Sequence, residues 1–188
     1  MATQPEALSP EYEIETLLGS GRSGTTYLAR ALGSAGLLTV KILVSRDERD
    51  IEDIAGALRP DLIRFAHPGV ARTHAVDLDA EGNLRIVRDY IRGRPLASWA
   101  ETAAAAARQQ AFDAIAAAVD AVHAGGLVHG NIAAANVIVA AGGRPMLVDL
   151  GAHLALRAIQ GAGQSPHFSR DADRAGLEAL RTILSASP

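Results

Sequence analysis

"LVHGNIAAANVIV", residues 127–139, is the stretch whose reading decides the fold. It reads as a short apolar strand, a polar turn holding two asparagines, and a second apolar strand. The turn opens His-Gly-Asn, a second asparagine stands five residues after the first, and every residue between Ile132 and Asn136 is alanine. Two polar side chains therefore keep fixed places in a loop that is otherwise stripped of chemistry. What they serve depends on the segments before and after them.

The chain has 188 residues, 48% of them hydrophobic, which suits one domain, or one domain of two small lobes, with a real core. No run approaches the roughly 18 uninterrupted apolar residues of a membrane span, and "MATQPEALSPEYE" is acidic and polar where a signal peptide is basic and then apolar. A cytoplasmic location is expected. Cysteine is absent, which excludes disulfides and thiolate zinc sites. A net charge of −3 and an aromatic content of 4% argue against a nucleic-acid partner.

Residues 1–10, with Pro5 and Pro10 among small polar residues, read as a flexible leader. "YEIETLLGSG", "TTYLARAL" and "LLTVKILV" then read as a three-stranded meander, with a turn from Gly33 to Gly36 before the third strand. Residues 47–58 carry early acids and apolar residues at helical spacing, a short helix expected to end at Arg59-Pro60. "GVARTHAVDL" and "NLRIVRDYI" flank the turn "DAEG" as a hairpin. Helix formers dominate from Ala97 to Gly126, with Phe112, Ile115, Val119 and Val122 on one stripe and Gly125-Gly126 as the stop; the alanines at 103–107 read as helix propensity. After the opening loop, "NVIVAA", "GGRP" and "MLVDL" make another hairpin, and "RDADRAGLEALRTILS" is an amphipathic helix.

Three features of this layout carry chemistry. Gly19, Gly21 and Gly24 form a GxGxxG pattern, a spacing that lets backbone N–H groups approach phosphate oxygens, although a strand follows it and a tight hairpin uses the same residues. Lys41 lies inside an apolar strand, where an ammonium needs a cleft and an anion unless it snorkels from an edge. Asp149-Leu150-Gly151 puts a carboxylate at a strand tip, as a Mg²⁺ ligand or as a plain turn aspartate. The other histidines, His74, His123, His153 and His167, show no metal-ligand spacing.

Taken in order, glycine loop, strand lysine, the hinge-like "VRDYIRGRPL", long helix, His-x-Asn-x4-Asn loop and Asp-x-Gly, the chain resembles a eukaryotic-type Ser/Thr protein kinase domain of the bacterial sort. "HPGV" at 67–70 and "DADRAGLEAL" at 171–180 are similar to further stretches of that family. The resemblance spans about residues 11–184 and implies an α+β, two-lobed fold: a β-rich N-lobe with one helix over 11–91 and a shortened, mainly helical C-lobe over 92–188. It implies that Gly19, Gly21 and Gly24 cover ATP phosphates and that Lys41 holds the α- and β-phosphates. Asp89 to Ile91 would meet adenine through backbone groups, and Asn136 and Asp149 would bind Mg²⁺.

Departures from the family's pattern fall on the reactive positions. His129, Gly130 and Asn131 stand where the family has His-Arg-Asp, so the aspartate that accepts the substrate proton is a neutral amide, and Ala133 replaces the loop lysine. The family's helix glutamate falls near Leu58, leaving Lys41 without its usual partner; Glu52 and Asp53 would serve only if the helix were displaced. His129 is expected to buttress the loop by hydrogen bonds. Ser165-Pro166-His167 stands where the family has Ala-Pro-Glu, after a segment with room for a short loop, so the peptide-substrate platform is expected to be missing. The resemblance thus implies a pseudokinase: a signalling or scaffolding module that binds a protein partner on a lobe surface and keeps an ATP and Mg²⁺ site. A weak, atypical Ser/Thr kinase is the alternative, and a kinase-shaped scaffold without nucleotide a further one.

Overall fold

The structure, a computed structural model, describes residues 12–21, 24–33, 35–44, 51–160 and 169–185. The leader expected at 1–10 and the Ser165-Pro166-His167 segment lie outside these residues. The first half of the chain builds a five-stranded antiparallel sheet in the order β1-β2-β3-β5-β4. Its strands are β1 (Tyr12–Gly21), β2 (Gly24–Ala31), β3 (Leu37–Leu43), β4 (Thr73–Leu78) and β5 (Leu84–Asp89). The first three match the strands of the meander read from the sequence to within a residue.

Side chains alternate across this sheet. On β3, Val40 and Ile42 pack with Ala29 and Val87 in a small cluster on one face. Leu43 faces the other way and joins the main core with Leu84 and Ile86 of β5. Thr39 and Lys41 share that second face, Thr39 paired with Arg88 and Lys41 with Ile86. The β4–β5 turn is closed by Asp79, whose Oδ1 accepts the N–H groups of Glu81 at 3.0 Å and Asn83 at 2.8 Å.

The helix α1 (Ile51–Arg64) packs on this sheet and runs through Pro60 rather than ending before it. Proline there removes one helical hydrogen bond. Packing downstream outweighs the loss: Leu62 is buried in the main core, and Arg59 Nε donates to the Val76 carbonyl of β4 at 2.7 Å.

A second, three-stranded sheet has β6 (Gly93–Pro95), β7 (Val137–Ala140) and β8 (Pro145–Leu147) in that order. Residues 69–71 lace the two halves together, with Ala71 N–H donating to Leu147 and Leu147 N–H to Gly69, both at 2.8 Å. The helical region from Ala97 to Gly126 is not continuous. A short α2 (Leu96–Ala100) is separated from α3 (Ala105–Ala124), and Ala104 between them has extended backbone. Thr102 causes the break: its N–H and hydroxyl both bond the Trp99 carbonyl, and its hydroxyl accepts from Arg94. Only the later alanines of 103–107 are helical. α3 buries Phe112, Ile115, Val119 and Val122 as expected and stops at Gly125.

Two further expectations are corrected. Leu127 and Val128 form no strand; Leu127 N–H instead bonds back to Val122, and the backbone after it is held by a side chain. The segment after Gly151 is not simply a short loop but begins with a helix, α4 (Ala152–Gln160), which buries Ala152, Ala155 and Ile159. The described chain closes with α5 (Arg170–Ser185), the amphipathic helix read from the sequence.

Candidate functional site

The 127–139 stretch is held from α5. Asp173, fully buried, accepts the backbone N–H of His129 at 2.9 Å and of Gly130 at 2.7 Å, and lies 2.8 Å from His123 Nε2 on α3. One carboxylate thus satisfies two loop amides that no strand pairs. The motif spacing would pick out Asp171 with Gly176, but Asp171 is exposed and pairs with Arg174. Gly176 is needed for a different reason: a Cβ there would lie 2.5 Å from the Ile132 carbonyl oxygen, so α5 can seat against the loop only without a side chain. His129 is buried, with Nε2 2.9 Å from the Val148 carbonyl, a buttress between the loop and the strand end before Asp149.

Asn131 is exposed at the head of the loop, and its carbonyl accepts from Asn136 Nδ2 at 2.8 Å. Ala133 leads into a single 3₁₀ turn, Ala134–Asn136. Asn136 in turn passes its carbonyl to the Val148 N–H at 2.9 Å. Loop and strand end are therefore one hydrogen-bonded unit with Asp149 at its edge.

Asp149 has a positive φ of 71°, a left-handed conformation that aspartate tolerates better than most residues. Its Oδ2 lies 2.6 Å from Lys41 Nζ, and its Oδ1 forms an ion pair with Arg88 Nη2. Both cations are buried, Lys41 4% and Arg88 1% exposed. Burial alone would push the Asp149 carboxyl up; Arg88 and then Lys41 outweigh it and hold the group below the usual carboxylate range. Lys41 therefore has an acidic partner, supplied by Asp149. Leu58 packs partly buried against the main core.

A cleft of about 400 Å³ opens beside this pair, a volume typical of small-molecule sites. Gly19 lines it, with Asp89, Ile91, Asn136 and Asp149. Leu18 and Ile138 face it as apolar walls, and Thr26, Thr39 and Arg88 complete the inner surface. Gly19 and Gly21 have open space where a Cβ would stand, as a surface for a ligand requires. Gly24 does not: a Cβ there would lie 2.1 Å from the Ile42 carbonyl, so this glycine serves the β2–β3 approach. At the connection between the sheets, Asp89 N–H bonds Arg72 and Tyr90 N–H bonds Leu37, whereas among the described residues the Ile91 N–H makes no hydrogen bond. Sequence reasoning missed Arg88. Its signal was phase: it continues the inward series Leu84, Ile86 on β5, so a charge at that position had to enter the core.

Taken from chain order and geometry, a glycine hairpin, a buried strand lysine on an aspartate at a strand end, and an asparagine-bearing loop tied to a helix share one cleft. The profile of the protein kinase domain matches residues 12–163. The chain belongs to that family. It is similar to the serine/threonine-protein kinase PkaA of Streptomyces coelicolor, 31% identical over 193 aligned residues that cover 90% of this chain and 33% of that protein. It is also similar to PknB of Mycobacterium leprae, 28% identical over 162 aligned residues, 79% of this chain and 25% of that one. The chain thus spans a third or less of the length of these relatives. Among solved structures, a variant of the PknI kinase domain of Mycobacterium tuberculosis superposes with a TM-score of 0.66 at 24% identity, over 81% of this chain and 64% of that one. That likeness is one of fold, a β-sheet N-lobe on a helical C-lobe. No helix among the described residues is long and apolar enough to cross a membrane.

Magnesium, which the kinase family implies at Asn136 and Asp149, does not fit the site as built. Mg²⁺ demands oxygen ligands in near-octahedral array. Both carboxylate oxygens of Asp149 are already taken by cations. Two like unit charges about 4 Å apart repel by about 4 kcal/mol at an effective dielectric of about 20, and a divalent ion doubles this for each neighbour.

Proposed function

We propose that this kinase domain is a pseudokinase, a module that binds a nucleotide in the cleft and a protein partner on a lobe surface without efficient phosphotransfer. The observation that carries the reading is Asn131 at the head of a loop otherwise held in order by Asp173, Asn136 and Val148. An ordered loop presents a neutral amide where an aspartate would take the acceptor hydroxyl's proton, and loss of a general base costs typically about 10²- to 10⁴-fold. Ala133 brings no cation to a transferring phosphoryl group. Gly19 and the Ile91 N–H, which line the cleft, and Lys41, buried beside it on Asp149, support the nucleotide half of the reading, since they are the groups that would meet phosphate and adenine.

The test is purified chain incubated with labelled ATP and a divalent metal, alone and with a general Ser/Thr substrate. No incorporation above that of Asp149→Ala is expected; clear transfer above that variant would overturn the reading. Thermal melting reports the nucleotide half, because a ligand that binds only the folded chain raises its melting temperature. ATP is expected to raise it for the native chain and not for Lys41→Ala.

A further inference from the structure

We propose that Arg88 is the resident counter-cation of this cleft, and that the cleft takes a nucleoside triphosphate without a divalent metal ion. The inference rests on the nucleotide-binding half of the reading above and deepens it. Arg88 and Lys41 reach the same carboxylate from neighbouring strands of one sheet face, as the pairings Thr39–Arg88 and Lys41–Ile86 require. Each Asp149 oxygen is held by one of them, so a metal ion would have to displace a buried cation. Arginine cannot yield by losing its proton, and with 1% exposure it has no water to retreat to.

The charge balance points the same way. Two buried cations, Lys41 and Arg88, meet the one carboxylate at the inner end of the cleft. The other carboxylate lining the cleft, Asp89, is half exposed and has its Oδ1 2.6 Å from His74 Nε2. A divalent ion in a polyphosphate site neutralises phosphate charge and bridges its oxygens; here Lys41 and Arg88 supply that charge from the protein. Arg88 Nη1 is buried and, among the described residues, has no hydrogen-bond partner. A buried donor left open in this way is costly, and a phosphate oxygen would supply the acceptor where the Arg88 side chain turns toward the cleft that it lines. Asp149 then acts to hold two cations in place rather than to hold a metal.

Calorimetric titration with ATP, first in EDTA and then with excess MgCl2, tests this on the native chain, Arg88→Met and Arg88→Lys. The native affinity is expected to agree within about twofold between the two conditions. Arg88→Met should bind ATP about tenfold or more weakly in EDTA, as loss of a charge-assisted contact implies, and should recover when Mg²⁺ is added. Arg88→Lys should stay metal-independent. Native binding that tightens about tenfold or more with Mg²⁺ overturns the inference. So does Arg88→Met binding in EDTA as tightly as the native chain, or no ATP binding in either condition. If Arg88→Met does not fold, the two native titrations decide alone. Metal-dependent binding without phosphate transfer overturns only this inference; transfer in the Mg²⁺ arm overturns the pseudokinase reading, and the EDTA arm still decides this one.

Discussion

At the scale of single residues, the cleft is governed by one carboxylate serving two buried cations. Removing it strands both. Asp149→Asn keeps the shape and leaves Lys41 and Arg88 without their shared anion, which is expected to lower unfolding free energy by about 3 kcal/mol in urea denaturation. Arg88→Met in the same chain should recover a large part of that loss, and a double-mutant cycle measures the coupling; additive losses would show that the pair does not act as a unit. His129 sets a second residue-scale expectation. Its Nε2 faces the Val148 carbonyl and must donate, so Nδ1, buried and unbonded among the described residues, is the unprotonated nitrogen. Burial pushes this imidazole's pKa down; the nearby Asp173 and Asp149 carboxylates pull it up, and Arg88 pushes it down again, with the net direction downward. The unfolded chain therefore binds the proton more readily. Stability is full above about pH 6.5 and falls as pH drops through that value. Asp149, also depressed, adds its own loss only at the lower pH where carboxylates titrate. Urea midpoints between about pH 7.5 and pH 5.5 check the first window. His129→Gln, which keeps a donor for Val148 and cannot titrate, should reduce the slope there and leave the part contributed by His153, whose pKa burial and Lys41 also lower.

At the scale of elements, α5 is the piece that orders the loop, through Asp173 and through the close approach at Gly176. Gly176→Ala would drive a methyl group into the Ile132 carbonyl and Cβ, and backbone cannot swing aside as a side-chain end can. The expected result is a destabilisation of about 1–3 kcal/mol, with faster amide exchange at His129 and Gly130. An unchanged melting temperature would mean that α5 does not seat against the loop. The same elements show what sequence patterns can and cannot convey. The first three strands and α5 were legible, because β-rich runs separated by glycine turns, or an amphipathic stripe, agree there with the final structure. The break before α3 was not legible: alanine favours helix on both sides of it, and the ties from Thr102 and Arg94 that interrupt it are tertiary. Helix α1 overran Pro60 because buried Leu62 lies beyond it. Helix α4 was hidden in a segment read only by its length, although Ala152, Ala155 and Ile159 keep helical spacing. Gly19, Asn136 and Asp149, which line the cleft, and Lys41, beside it on Asp149, could be picked out by their order along the chain. Arg88 could not, because a lone arginine next to an expected adenine-facing segment looks like surface until strand phase is counted.

At the scale of the whole molecule, two separate changes bear on phosphotransfer, and they lie on different halves of the fold. The loop half lacks a base and a cation, at Asn131 and Ala133. The sheet half adds a cation, Arg88, that occupies the carboxylate a metal would need. If the proposed lack of phosphotransfer came from the first change alone, Asn131→Asp with Ala133→Lys would bring turnover, since a general base is worth about 10²- to 10⁴-fold and the loop is already ordered. The ion-pair geometry argues otherwise, because the restored loop would still face a site from which Mg²⁺ is excluded. The double variant is therefore expected to release no more ADP from ATP than the native chain. Adding Arg88→Met to it should free one Asp149 oxygen while Lys41 keeps the other, and ATP hydrolysis that depends on Mg²⁺ should rise above background. ADP release followed over time in the native chain, the double variant and the triple variant separates the two changes. Turnover in the double variant would place the whole block in the loop; turnover only in the triple variant would show that the arginine on β5 guards the site as firmly as the missing base does.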